Sequence, residues 1–234
     1  MKRNHCSVLL LFLLVIFGCL EFGIAGADPL DTWHWRNPLP QGHSLYAITH
    51  GNGKFVAVGE FGTILTSPDG TNWEVQRSGT SESLWSVTFG DGKFVAVGED
   101  LGTSSQLDGL VLVSADGMQW TKHLTGSRRL LGVAYGNGKY VAVGDAHTIL
   151  SSSNGSDWRE FDNLFRGSFQ AVTYANGKFV IVGGSSVEFF GVTLTSSDAR
   201  AWERQTFNNT GGFNGVTFGA GALVAVGEVG NLLV

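Results

Sequence analysis

Four acids occupy one place in a recurring motif: Glu60, Glu99, Asp145 and Glu228 each follow a Val-Ala-Val-Gly run. Such carboxylates could form an acidic ring for a cation or a basic partner. The plainer chemistry is that each accepts backbone hydrogen bonds in its own turn. In the fourth copy the acid is replaced by Gly184. Arg128 and Arg129 are adjacent cations able to grip a carboxylate or a phosphate, or to stand in water as a loop pair. Tyr46 and Trp85 open two copies of the motif and are the sort of rigid aromatics that anchor interfaces. Phe189 and Phe190 either form an exposed contact or fold back on their own segment. The histidines His34, His43, His50, His123 and His147 are scattered without a ligand spacing such as H-x-x-x-H. No nucleophile lies beside a base in the sequence. The chemistry expected is therefore binding, with no catalytic residue, no cofactor and no metal.

The elements that position these residues repeat. Gly51–Trp73, GNGKFVAVGEFGTILTSPDGTNW, returns with variations from Gly90, Gly136, Ala175 and Gly219. Measured on Gly53, Gly92, Gly138, Gly177 and Gly221, the steps are 39, 46, 39 and 44 residues. A unit of about 40 residues cannot bury its apolar face alone and must stack on its neighbours. Each unit holds four short β signals. In the first copy these are 45–50, 54–59, 62–67 and 72–77, with Asn52-Gly53 as a type I′ turn. The second signal is apolar on both alternating faces, as suits a strand covered on both sides. Nothing has helical period. Four-stranded units at this period predict an all-β propeller of antiparallel blades.

The turn between the third and fourth signals repeats most sharply. It places Ser67, Asp69 and Trp73 in the first copy, Ser114, Asp116 and Trp120 in the second, Ser152, Asn154 and Trp158 in the third, and Ser196, Asp198 and Trp202 in the fourth. Asp or Asn accepts from backbone N–H groups ahead of it, Gly takes the unusual φ, and Trp supplies a large apolar body. This pattern resembles the Asp-box repeat of bacterial neuraminidase-like propellers. It is also similar to propellers of the photosystem II stability/assembly-factor type. The resemblance covers about residues 31–234. The box here is one residue shorter than the family's S-x-D-x-G-x-x-W and departs at Asn154 and Ala199. It implies that the boxes are folding elements on outer turns, away from any site, and that an interaction or scaffold role is the family's non-enzymatic precedent.

The neuraminidase likeness also raises glycoside hydrolysis as an alternative, a divergent glycan-active enzyme. That chemistry needs an arginine cluster for the substrate carboxylate, and a Tyr nucleophile with an acidic partner. Arg36-Asn-Pro38 is a faint echo of the family's Arg-Ile-Pro segment. Yet Arg36, Arg77, Arg159 and Arg204 trail the box tryptophans, on outer strands, and no inner strand carries Arg.

Residues 1–27 read as a signal peptide: Lys2 and Arg3, an apolar core over 8–18, and Ala25-Gly-Ala27 for cleavage. The apolar run is short for a membrane span, so no transmembrane segment is expected after cleavage. Phe17 makes Ile16–Cys19 a poor lipoprotein box, so anchoring at Cys19 is the lesser alternative. Both cysteines, Cys6 and Cys19, fall in this segment. Residues 28–234 are expected to be a single propeller domain, exported to the periplasm or the exterior as a monomer. Without the signal the chain has 13 basic and 19 acidic residues, which argues against nucleic acid as a partner.

Asp31 and Trp35 keep the box spacing, so 31–39 reads as a lone fourth strand. The last copy stops at Val234, one residue before its box. The expectation is a five-bladed ring whose termini share the last blade; a truncated gene lacking repeats is the alternative. Function is expected where copies differ: the segments 99–109 and 184–191, and the variable second residue of strand one (Tyr46, Trp85, Leu131, Gln170, Asn214). The partner class is protein or carbohydrate.

Overall fold

The computed structural model describes residues 42–102, 108–162, 167–185, 190–208 and 210–234. Asp31, Trp35, Phe189 and the proposed signal and closing segments lie outside them. Among the described residues nineteen strands run in chain order. Blade one holds β1 (Leu45–Gly51), β2 (Lys54–Gly59), β3 (Ile64–Ser67) and β4 (Glu74–Gln76). Blade two holds β5 (Leu84–Gly90), β6 (Lys93–Asp100), β7 (Asp108–Ser114) and β8 (Thr121–Leu124). Blade three holds β9 (Leu130–Gly136), β10 (Lys139–Gly144), β11 (Ile149–Ser152) and β12 (Arg159–Glu160). Blade four holds β13 (Ser168–Ala175), β14 (Lys178–Ser185), β15 (Phe190–Ser196) and β16 (Glu203–Asn208). Blade five holds β17 (Phe213–Gly219), β18 (Ala222–Gly227) and β19 (Leu232–Leu233).

Each sheet is an antiparallel meander, four-stranded in blades one to four and three-stranded among the described residues of blade five. The first hairpin of each blade turns on two residues with positive φ, Asn52 (49°) and Gly53 (71°) in blade one, which gives the twist that a two-residue hairpin needs. The strand-one members contact one another in sequence, β1 on β5, β5 on β9, β9 on β13, β13 on β17. The architecture is a five-bladed β-propeller.

The core is divided among the blade interfaces. Val56, Val58 and Ile64 pack with Leu84, Phe94 and Leu112 between blades one and two. Val95 and Val97 meet Leu130, Tyr140 and Leu150 between two and three. Val141, Val143 and Ile149 meet Phe169, Phe179 and Ile181 between three and four. The last interface is thin, with Val182, Phe213 and Ala225 its only members buried among the described residues. Close approach is set by glycine at the end of strand one. A Cβ on Gly51 would lie 2.0 Å from the Phe89 ring of the next blade, and one on Gly90 would lie 2.0 Å from Tyr135. Tyr140 adds a polar tie, donating to the Gly90 carbonyl at 2.5 Å. Burial pushes its hydroxyl up to about 12, so it remains a donor at any physiological pH.

The blades are also clasped at their turns. Lys54 donates to the carbonyl of Asp116 at 2.8 Å, Lys93 to that of Asn154 at 3.2 Å, and Lys139 to that of Asp198 at 2.6 Å. Each lysine of the G-x-G-K hairpin thus binds the box turn of the next blade.

The described ends of the two inserted segments are paired. The segment 99–109 lengthens a hairpin: β6 and β7 stay paired out to Asp100 and Asp108. The segment 184–191 does the same, with Ser185 still paired to Phe190. An uninterrupted ladder satisfies more backbone groups than an open loop of equal length would.

Candidate binding face

One backbone device recurs in all five blades. Strand one skips a residue in its register with strand two at the second position, Leu45 facing Gly59 and Ala47 facing Val58. The same skip falls between Leu84 and Ser86, Leu130 and Gly132, Phe169 and Ala171, and Phe213 and Gly215. The bulged residues are therefore Tyr46, Trp85, Leu131, Gln170 and Asn214. A β-bulge re-aims its side chain and leaves it outside the ladder, so the positions that vary among copies are those freed from sheet pairing. A second device holds the acid turn beside each bulge. The N–H of Glu60 donates to Ser44 O at 3.0 Å, Glu99 to Ser83 O at 3.4 Å, Asp145 to Arg129 O at 3.0 Å, and Glu228 to Gly212 O at 2.9 Å.

In blades one to three this frame is filled. The Tyr46 and Trp85 rings stack at 4.5 Å with planes 13° apart. The Arg129 guanidinium lies 5.7 Å over Trp85, within cation–π range. Arg129 Nε and Nη2 both reach Asp145 Oδ2 at 2.9 Å, and Nη1 lies 3.8 Å from Glu99. At the far end the Tyr46 hydroxyl donates to Glu60 Oε1 at 2.9 Å, and the Ser44 N–H donates to Glu60 Oε2 at 3.2 Å. Glu60 is held below the usual carboxylate range by the Ser44 and Tyr46 donors. Tyr46 is raised, mainly by its bond to that carboxylate. A tyrosine–carboxylate pair is thus present, but its phenolate is disfavoured.

In blades four and five the same positions enclose a polar hollow of about 200 Å³, lined by Ser168, Gln170, Gly184, Gly212, Asn214 and Glu228 among others. Gly184 stands where the other blades have an acid. Gly212 stands where blade three has Arg129. Among the described residues no side chain donates to the Glu228 carboxylate.

The other named residues sort as follows. Arg128 is exposed, and Phe190 is buried in the interface of blades three and four. In the box turns Asp69 Oδ1 accepts from the N–H groups of Thr71 and Asn72 at 2.8 Å, and Trp73 Nε1 donates to Gly70 O at 3.1 Å. Asp116 and Trp120 repeat the pattern, as do Asn154 and Trp158. Ser67, Ser114 and Ser152 each accept from the glycine N–H three residues on. In blade four Asp198 keeps its bonds and Ser196 still meets it, but Trp202 Nε1 is buried without a partner. A groove of about 540 Å³ runs along the turns of blades three and four, past Asn154, Arg159 and Arg200; the Asn154 carbonyl and amide on it are already bonded.

Two rim residues escaped sequence reasoning. Phe61 and Val229 follow the acids of blades one and five, adopt φ of 52° and 50°, and are 65% and 89% exposed. Left-handed backbone is costly for a bulky or β-branched residue. The signal was available: each sits one residue after the acid, in a turn where Gly would be expected.

No family model matches the chain, and no curated protein matches it. Solved structures do match in fold. "YCF48 bound to D1 peptide" has TM-score 0.62 and 18% identity over 83% of this chain and 63% of that one. YCF48 from Cyanidioschyzon merolae has TM-score 0.60 and 18% identity over 83% and 67%. A nidogen/laminin complex has TM-score 0.59 and 14% identity over 79% and 72%. This chain therefore spans somewhat under two thirds of the length of the first. Among the described residues no helix is long and apolar enough to cross a membrane.

Proposed function

We propose that this chain is an exported, non-enzymatic propeller that binds a protein partner through the rim of bulged residues. The observation that carries this is the set of five register skips, which free the variable residue of every blade on one edge of the ring. The long hairpins ending near Asp100 and Ser185 rise from the same edge, because strand 2→3 connections and the starts of strand one share a face. Support comes from the likeness in fold to a structure of YCF48 bound to a D1 peptide.

A glycan-active role has less to stand on. Tyr46 has an acidic partner, but the rim cation nearest it, Arg129, is committed to Asp145, and the Tyr46 phenolate is disfavoured. The test is capture of native partners by immobilised protein. Trp85→Ala or trimming of 99–109 abolishes capture while the fold survives, and substitutions at the surfaces of the Asp69 and Asp116 turns leave capture intact. The reverse outcome places the contact on the repeated turns instead. Turnover of fluorogenic sialosides would overturn the non-enzymatic part.

A further inference from the structure

We propose that the hollow of blades four and five is a subsite for the guanidinium of an arginine side chain belonging to the partner polypeptide. This rests on the protein-binding reading above and names what one part of that face takes.

The chain itself carries the template. In blade three the acid Asp145 donates its N–H to the carbonyl of residue 129, and the side chain of residue 129 supplies the cation for that acid. In blade five the same backbone bond joins Glu228 to Gly212, at 2.9 Å against 3.0 Å. The frame and the acid are kept, and the guanidinium is replaced by hydrogen. In blade four Gly184 removes the neighbouring acid side chain as well. The space so left, about 200 Å³, is several times the ~30 Å³ share of one water. Its lining brings the acid Glu228 together with the side-chain amides of Gln170 and Asn214, each of which has an oxygen that can accept. A planar group with five donors and no acceptor matches a carboxylate flanked by neutral acceptors.

Gly212 also provides the decisive variant. The nearest atoms a Cβ there would meet are Gly184 backbone atoms, at 3.7 Å and beyond, and its φ is not left-handed. Gly212→Arg is therefore free to rebuild the blade-three pair and plug the hollow from within.

The experiment titrates the full chain with argininamide, followed by amide NMR, with citrulline amide and lysinamide as controls. The expected result is millimolar binding that shifts Gly212 and the side-chain amides of Gln170 and Asn214. It weakens about tenfold or more in Glu228→Gln and in Gly212→Arg, the scale expected when a charged hydrogen-bond partner is lost, and it falls with added salt. Absence of binding, equal binding of citrulline amide, or binding unchanged in both variants overturns the subsite, and a preference for lysinamide overturns its assignment to guanidinium. The broader reading fails separately. If argininamide binding depends on Glu228 while partner capture ignores both Trp85→Ala and Gly212→Arg, the subsite stands and the rim as a protein-binding face falls. If Trp85→Ala ends capture and argininamide ignores Glu228, the face stands and the subsite falls.

Discussion

The rim has two halves built on one backbone plan. Blades one to three fill it with Tyr46, Trp85 and Arg129, each stacked on the next, and they anchor both ends on carboxylates. Blades four and five line it with Gln170, Asn214 and glycine, and Glu228 stands on the lining of the hollow they leave. The bulge and the acid-turn hydrogen bond are common to both halves. The difference lies mainly in side chains, with blade four also departing in backbone at Gly184, whose φ is 148°, so one repeat scaffold carries a stacked platform and an open hollow side by side. The filled half spends its polar groups on itself. Among the described residues, no side chain donates to the Glu228 carboxylate of the hollow half.

The comparison breaks if the filled half contributes nothing to stability. Trp85→Ala should cost about 2–3 kcal/mol, less than the 3–5 kcal/mol of a fully buried tryptophan because Trp85 is only half-buried. Gln170→Ala, its counterpart in the hollow half, should stay within about 0.5 kcal/mol. Urea unfolding of both variants measures the contrast, and equal losses would erase it.

Arg129→Ala removes the stacking cation and the partner of Asp145. A loss of about 1–2 kcal/mol is expected from the charged hydrogen bonds and the ring contact together. A double-mutant cycle with Asp145→Asn should show coupling, while Gly212→Arg, whose guanidinium would reach a half-buried Glu228, should change unfolding by no more than about 1 kcal/mol.

Val229 and Phe61 sharpen the contrast further. Val229→Gly relieves left-handed strain on a residue with little packing to lose, so a gain of up to about 1 kcal/mol is expected. Phe61→Gly relieves similar strain but forfeits the edge contact with His43, whose ring lies 5.0 Å away. Its net change should be smaller than that of Val229→Gly in the same thermal melt.

The smallest effect concerns pH and divides the box turns. Backbone donors at Asn72 and Thr71 hold the Asp69 carboxyl below its ordinary range, and those at Gln119 and Met118, and at Ala201 and Arg200, do the same for Asp116 and Asp198. A depressed folded pKa adds stability that is present above the unfolded carboxylate range, near 4, and is lost as pH falls through the folded value. Unfolding midpoints should therefore decline below about pH 5. In Asp69→Asn the decline should be shallower, as blade three already makes the turn with the neutral Asn154. An unchanged slope would show that these turns do not set acid stability.

The sequence made the scaffold legible because its signals are local. Asn-Gly turns, Val-Ala-Val strands and Ser-x-Asp turns each act within a few residues, and their period gives the blade. The variable second position of strand one was also visible, as was the acid after strand two. The bulge was not visible, since a register skip exists only between two strands. The Tyr46–Trp85–Arg129 stack joins residues from three blades, and no local pattern encodes it. The hollow was hardest to foresee, because it consists of side chains that Gly184 and Gly212 do not have. The long segments 99–109 and 184–191 announced added length but not their pairing, which depends on the partner strand.

The lysine clasps have a direction. Lys54, Lys93 and Lys139 each bind a turn about sixty residues further along the chain. During synthesis at roughly 5–20 residues per second, each clasp waits some seconds for its acceptor to emerge. A growing chain thus carries one unfinished blade at its newest end, and every completed turn seals the blade made before it. The same asymmetry makes the order of manufacture an order of consolidation, with blade one tied to blade two before blade two is tied to blade three, and blade three to blade four after that.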